Sequence, residues 1–420
     1  MDSIKYSNSI FINFIVASII PFLIWGPFFP DLILSISVIF FLYYSFKNKK
    51  FYFFNNKPLI IFFVFCIYCI LLSVFIAEDK MLSIKSSLFY FRIGVFSCLI
   101  WCLIDQNNNI LSYFYSILIL CFTLLVIDGY IQYFTGENIV GLKLYGSRIS
   151  SFFGDEAILG SYLSRLFPLL FGLFLIKKKQ KLEIYFVGIL FILIDILIFM
   201  SGERTAFFFL NLSTLFIIAL IKKYQIFRLI TLTIASLCIF FLSVNNLNLK
   251  DRMFSIPAKN MGIIESPSKN VIFTSAHDSL IRTAYEMFKD KPIFGHGPKM
   301  FRVICKNEKY AIGDVSCMTH PHNFYIQLLA ETGIIGFLFL LLALSYVVYS
   351  AFRQLKSIIF RQKRPLTDYQ ICLLAGILIT VWPISPNGNF FNNWLMIVYS
   401  LPIGFYIQSI FSKKNVSKVF

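Results

Sequence analysis

The stretch EIYFVGILFILIDILIFMS, residues 183–201, decides the fold class. Apart from Glu183 at its start and Asp195 within it, the stretch is apolar, with one glycine (Gly188) and no proline. A helix needs about 18 or more apolar residues to cross the roughly 30 Å hydrocarbon core of a bilayer, and it satisfies its own backbone hydrogen bonds on the way. The run ends at Ser201-Gly202-Glu203-Arg204-Thr205, a turn of small and charged residues, and a second apolar run begins at once. Comparable runs lie on both sides, at 8–26, 29–46, 58–77, 83–104, 110–134, 158–176, 204–221, 229–246, 323–350, 367–386 and 391–411. The expectation is an all-α polytopic membrane protein of about twelve transmembrane helices. Composition agrees: the 420 residues are 58% hydrophobic and 14% charged, with mean hydropathy +0.76, whereas soluble domains are about a quarter charged. A secreted enzyme, a cytosolic dinucleotide-binding protein and a coiled coil are excluded. The first run is followed by many others, so it reads as a span and not as a signal peptide.

A net charge of +17 invites a nucleic-acid reading, and the placement of the charge rejects it. Basic residues gather between spans: Lys47, Lys49, Lys50 and Lys57; Lys177, Lys178, Lys179 and Lys181; Lys222, Lys223 and Arg228; Arg353, Lys356, Arg361, Lys363 and Arg364; Lys413, Lys414 and Lys418. Such clusters mark cytoplasmic loops. Together with Lys5 they predict both termini inside. The opposite side receives Glu78-Asp79-Lys80, a loop near 135–157, the turn at Gly202-Glu203 and a long segment over 247–322. The chain thus divides into spans one to nine (1–246), a large outer loop containing short helices (247–322) and spans ten to twelve (323–420). Lys269 is expected outside, Lys178 and Lys363 inside. No internal repeat of the transporter kind is evident.

All four histidines, His277, His296, His320 and His322, fall in the long outer segment. Histidine is the side chain suited to proton transfer near neutral pH, so their gathering in one aqueous segment points to a site there. Within it, residues 275–290 form an expected amphipathic helix carrying Arg282, with Leu280, Ile281, Ala284, Tyr285 and Phe288 at helical spacing. A glycine-rich turn, Lys291 to Pro298, follows. His320-Pro321-His322-Asn323 then precedes an apolar helix whose free N-terminal N–H groups favour a nearby anion. Lys85, Arg92, Asp128, Arg165, Asp195 and Arg204 lie within or beside apolar runs, where charge is costly and usually faces an interior cavity. A guanidinium grips a diphosphate with two parallel hydrogen bonds that lysine cannot reproduce.

Rival chemistries are weaker. His320-x-His322 is too short for two ligands on one helix face, and no acid stands at metal-helix spacing, so no metal site is expected. Asp155 and Glu156 are adjacent, unlike the separated carboxyl pair of a glycoside hydrolase. Seven cysteines are solitary residues of the spans, apolar filler. Cys305 and Cys317 both lie in the outer segment and are able to pair in an oxidising compartment; the sequence leaves their pairing open.

Taken together the chain resembles the bacterial O-antigen ligase and O-antigen polymerase superfamily. The signature His-Asn, nine residues, Gly-x-x-Gly is matched by His322-Asn323 and by Gly333 and Gly336. Ser201 to Thr205, Asp128-Gly129-Tyr130-Ile131-Gln132-Tyr133 with Gly136, Phe152 to Glu156, Lys85 to Arg92, and the Arg282 helix followed by Pro292, Gly295 and Gly297 are similar elements. The resemblance implies a GT-C-like, metal-independent glycosyltransferase without cofactor. It would work at the periplasmic face of the inner membrane, moving a glycan from undecaprenyl diphosphate to an acceptor sugar. The ligase reading, with lipid A–core as acceptor, stands first; a polymerase extending lipid-linked repeats, and a polytopic transporter or flippase, stay open. Carried over, His322 is the catalytic base or an acceptor-orienting group, and Arg204 and Arg282 bind the donor diphosphate. Arg92, Lys85, Arg148, Asn323, His320 and His296 are the candidate substrate-binding residues. Gly333 and Gly336 are expected to let their helix pack closely on another helix, and His320, before Pro321, is expected in a flexible approach.

Overall fold

The computed structural model describes residues 11–146, 148–260 and 274–412. Lys5, Lys269 and the Lys413, Lys414 and Lys418 group lie outside the described residues. Fourteen helical segments organise the rest: α1 (Phe11–Trp25), α2 (Phe28–Lys47), α3 (Lys57–Phe75), α4 (Lys80–Ser87), α5 (Arg92–Gln106), α6 (Asn109–Thr135), α7 (Leu159–Ile176), α8 (Lys181–Met200), α9 (Arg204–Leu220), α10 (Gln225–Asn245), α11 (Ser275–Asp290), α12 (Phe324–Ile359), α13 (Asp368–Thr380) and α14 (Asn393–Phe411). Short helical turns lie between α10 and α11 and at 301–304. Extended pairing among the described residues is limited to two isolated bridges in the 137–148 loop.

Among the described residues nine helices, with α4 and α5 counted as one, are long and apolar enough to cross a membrane. The chain is an all-α, multi-pass membrane protein. The other three predicted spans coincide with α1, α9 and α13, which are shorter. At 17 residues α9 rises about 25 Å, and at 13 residues α13 rises about 20 Å, less than a bilayer core. The expected total of twelve crossings is therefore a proposal that helix length carries for nine.

Burial sorts the helices. The central one is α7, which packs along α13, α9, α6, α8 and α14 and is buried along most of its length. By contrast α2, α3, α10 and α12 bury a third or less of their apolar windows and turn Phe40, Ile67, Phe241 and Phe352 outward. Exposed apolar surface on this scale is what lipid covers.

Three local features depart from the sequence reading. Arg228, grouped above with a cytoplasmic loop, lies in the first turn of α10 and is wholly buried. Its Nη1 and Nη2 donate to the two carboxylate oxygens of Asp195 on α8, at 2.8 and 3.0 Å, and to Thr231 and Thr214. A helix start thus reaches four residues further back than the apolar run, because the carboxylate within 183–201 neutralises the arginine. Next, the apolar run 367–386 is helical only to Thr380; Pro383 and Pro386 cannot continue it, and 381–392 is an irregular segment folded back into the bundle.

The third departure concerns Gly333. It interrupts α12 with a left-handed φ of 64°. A Cβ there would stand 2.1 Å from the Ile293 carbonyl oxygen, so no other residue fits this approach. The partner is the turn after α11, not another helix: Ile334 N donates to Pro292 O at 2.9 Å, His296 N to Ala330 O at 3.1 Å and Gly297 N to Glu331 O at 2.7 Å. Gly336 faces Thr332 of its own helix, where a Cβ would meet Oγ1. Glu331, buried, accepts from Phe301 N and Gln327 Nε2 and completes the dock.

Candidate active site

Three histidine rings come together. His322 stands between the other two, its ring centroid 4.1 Å from that of His320 and 5.0 Å from that of His277. His277 belongs to the first turn of α11, whose N-cap Thr274 accepts from His277 N. His320 and His322 immediately precede α12. His322 holds a left-handed backbone, φ 57°, a conformation that costs an ordinary side chain of order 1 kcal/mol and here turns the ring toward its two neighbours. The carbonyl of His322 accepts from Asn387 N at 2.7 Å, which holds that backbone in place.

The histidines are not equivalent. His320 Nε2 lies 3.2 Å from the Asn387 carbonyl, and Nδ1 lies 2.9 Å from Thr319 Oγ1. A carbonyl only accepts, so Nε2 carries the proton and Nδ1 accepts from the threonine. Both nitrogens are engaged, and His320 is fixed in the site instead of lying in a flexible approach. His322 has no hydrogen bond to either ring nitrogen among the described residues. Burial, with His277 beside it, pushes the His322 imidazole down to about 4. Burial and the adjacent His322 push His320 down to about 3. Both rings are neutral at pH 7, and only His322 has a nitrogen open to take a proton.

Asn323 and His296 are engaged within the fold. The Asn323 carbonyl oxygen caps α12 by accepting from Tyr325 N and Ile326 N, and its amide donates to Pro383 O and Ser385 O. Its hydrogen-bonding capacity is taken up by these four bonds. His296 is buried at 3% exposure beneath the turn after α11, where Nε2 meets the Met287 carbonyl at 3.0 Å and the ring abuts Tyr310. It ties that turn to the end of α11.

The cations fall into different places. Arg204, half-buried at the start of α9, donates through Nε to Arg252 O at 2.7 Å. Its two terminal nitrogens have no hydrogen-bond partner among the described residues, so the fork is open, and its charge is felt at His277. Around it, Arg252 Nε donates to Gly202 O at 3.0 Å, and Arg148 donates to Ser201 O and Ala157 O. Gly202 is left-handed, and a Cβ would meet Arg252 Nε at 2.6 Å. Glu203 accepts from Gly160 N, Ser161 N and Ser161 Oγ at the start of α7, so among the described residues no carboxylate forms an ion pair with the three arginines at this turn.

Arg282 is exposed on α11 and paired with Asp278 at 2.7 Å. Arg92 is engaged by Asp31 at 3.0 Å, far along the chain from the histidines and in a small cleft lined by Phe89, Tyr90 and Asn393. Lys85 is exposed on α4. None of these three is drawn to the histidine group by a contact in the structure. Asp128 and Gln132, from a motif quoted above, pin the loop that follows α6: Asp128 accepts from Ile139 N, and Gln132 from Ser150 N and Ser151 N. Cys305 and Cys317 form a disulfide that closes the loop before His320.

Sequence reasoning missed Asn387, which touches both His320 and His322, and Arg252. The signal for Asn387 was present in Pro386-Asn387-Gly388-Asn389, a turn-forming run at the edge of an apolar stretch. Among the described residues no group of three or more histidine, cysteine, aspartate or glutamate side chains is placed to hold a metal ion.

The family model described as O-antigen ligase matches residues 187–341, from α8 through the Gly333 kink, taking in Arg204, Arg282, His322 and Gly336. This likeness supports a function of the O-antigen ligase or polymerase type, a glycosyl-transferring class whose substrates are, in general terms, lipid-linked glycans. Among curated proteins, the teichuronic acid biosynthesis protein TuaE of Bacillus subtilis is 22% identical over 350 residues, covering 81% of this chain and 70% of that protein.

Proposed function

We propose that this protein moves a glycan from an undecaprenyl-diphosphate carrier to an acceptor sugar hydroxyl at the periplasmic face of the inner membrane, foremost as an O-antigen ligase with lipid A–core as acceptor. The observation that carries the reading is His322: a neutral imidazole with both nitrogens unengaged among the described residues, held next to His277, which in turn feels the charge of Arg204. In the reaction the acceptor oxygen bonds to the anomeric carbon while the bond from that carbon to the diphosphate breaks. The hydroxyl proton passes to His322, and the electron pair leaves with the diphosphate. Charge that develops there is met by Arg204, with Arg148 and Arg252 behind it, and by Arg282 if α11 carries it to the donor. Cationic side chains supply this clamp in the proposal, and excess chelator is expected to leave the activity unchanged.

A second reading, polymerisation of lipid-linked repeats, is favoured by the relative named for the biosynthesis of a different polysaccharide, teichuronic acid. The surface-polysaccharide profile of a deletion strain separates the two. Unlinked polymer retained on its carrier supports ligation, and products capped at one repeat support polymerisation. An unchanged profile rejects both.

A further inference from the structure

The mechanism above leaves one buried charge without a task. Arg165, in the middle of α7, is 5% exposed. Its guanidinium lies between two aromatic faces, 4.7 Å from the Phe209 centroid on α9 and 4.4 Å from the Tyr399 centroid on α14. No carboxylate pairs with it among the described residues. Its one hydrogen bond runs from Nη2 to Asn387 Oδ1 at 3.3 Å, while Nε and Nη1, and the neighbouring Tyr399 hydroxyl, are buried without partners. Cation–π contact compensates part of the desolvation, but a lone guanidinium in a membrane bundle is expensive and calls for a reason.

Asn387 supplies the connection. Its side chain is held from below by Arg165 and donates through Nδ2 to Ser385 Oγ at 3.2 Å. Its backbone N–H donates to the His322 carbonyl, and its own carbonyl accepts from His320 Nε2. One residue of an irregular segment thus fixes the left-handed backbone of His322 and the tautomer of His320 at once. Helix hydrogen bonds do not hold this segment: Asn323 binds its Pro383 and Ser385 carbonyls, Gln327 binds Asn389 and Phe390, and the buried arginine holds the Asn387 side chain. We infer that Arg165 is a positioning residue for the transfer reaction, acting through Asn387 to hold His322 and His320 in the arrangement that leaves the His322 ring open. Rigid α7, packed on all sides, is a suitable anchor for a geometry that tolerates little displacement.

The inference rests on His322 as proton acceptor, and its test has two arms. Steady-state transfer is measured in reconstituted membranes for Arg165→Met, Arg165→Lys, Asn387→Ala and Arg165→Met with Asn387→Ala, using lipid-linked donor and acceptor. Histidine-labelled protein is titrated by NMR in parallel, following the four imidazoles. Expected are a tenfold or greater fall in kcat for Arg165→Met with both KM values within about twofold, a similar fall for Asn387→Ala, and a double variant no worse than the poorer single one. The His320 and His322 resonances should move together in Arg165→Met while that of His296 stays. Arg165→Lys, which keeps charge and loses the fork, should resemble Arg165→Met. A wild-type kcat in both Arg165 variants, a loss confined to KM, additive losses, or unmoved His320 and His322 resonances would each overturn the inference. A chain that transfers no glycan yet shows the coupled resonance shifts would sink the proposed function while leaving the Arg165–Asn387–His322 linkage standing.

Discussion

Arg228 and Arg165 are both guanidiniums buried between apolar helices, and they are finished in opposite ways. Arg228 faces a carboxylate squarely, with Asp195 taking both terminal nitrogens and two threonines filling in; Nε alone lacks a partner. Arg165 has a single amide for company and two of its three nitrogens unanswered. The surroundings differ in the same sense. Near Arg228 the structure is regular helix on helix, whereas beside Arg165 an irregular segment meets a histidine of left-handed backbone. Saturated polar groups hold a membrane bundle together; unsaturated ones, kept at a cost of several kcal/mol when charged, are where chemistry is expected.

Substitutions on either side of this divide should therefore fail differently. The largest effect belongs to His322→Ala, which is expected to lower transfer by at least about a hundredfold at unchanged membrane abundance. His320→Ala, whose ring has both nitrogens committed, should retain a measurable fraction. Equal transfer by the two variants at matched abundance would erase the distinction between open and engaged rings. Next is Asp195→Ala, which strands Arg228 and should cost about 3 kcal/mol of stability, read as a lower thermal unfolding temperature in detergent. Transfer per folded molecule should be unaffected, and a selective loss of turnover would move the Arg228 pair into the machinery.

Arg204→Lys should reduce transfer roughly ten- to a hundredfold, since lysine keeps the charge and loses the fork. Arg282→Lys tests whether α11 brings its exposed, Asp278-paired arginine to the donor; near-normal transfer by both variants would leave these arginines as local pairs only. The smallest effect is a displacement in pH. A base works in its neutral form, and burial lowers His322 to about 4, so the acid limb of kcat/KM, which reports the free enzyme, should lie nearer 4 than the ordinary histidine value of about 6.5. A limb at or above 6.5 would show a His322 exposed to water.

Much of this was readable beforehand, for identifiable reasons. Apolar runs bounded by lysines announced the helices because hydrophobic length is a one-dimensional property. The helix carrying Arg282 was expected over 275–290, the span it occupies, since its amphipathic spacing and the lysine-proline stop are local signals. Other features are set by contacts across the chain. Asn387 lay at the edge of a stretch read as a membrane span, and only its bonds to residues more than sixty positions away reveal its place. Arg228 resembled a topology marker until Asp195 appeared opposite. Gly333 was noticed, but its partner, a turn forty residues earlier, is invisible to spacing. The hydrogen bonds that His296 and Asn323 make within the fold were likewise invisible to residue type.

The kink at Gly333 has a bearing on which changes of length the chain tolerates. Between Asn323, which caps the helix under His322, and the dock at Gly333, ten residues of helix rise about 15 Å. That distance works as a ruler with two marks. One mark sets the histidine over Asn387 and the other seats the turn that carries α11, and with it His277. Inserting a single residue between them would swing one mark about 100° around the helix axis relative to the other. His322 or His277 would then leave the cluster, although every side chain named here would still be present.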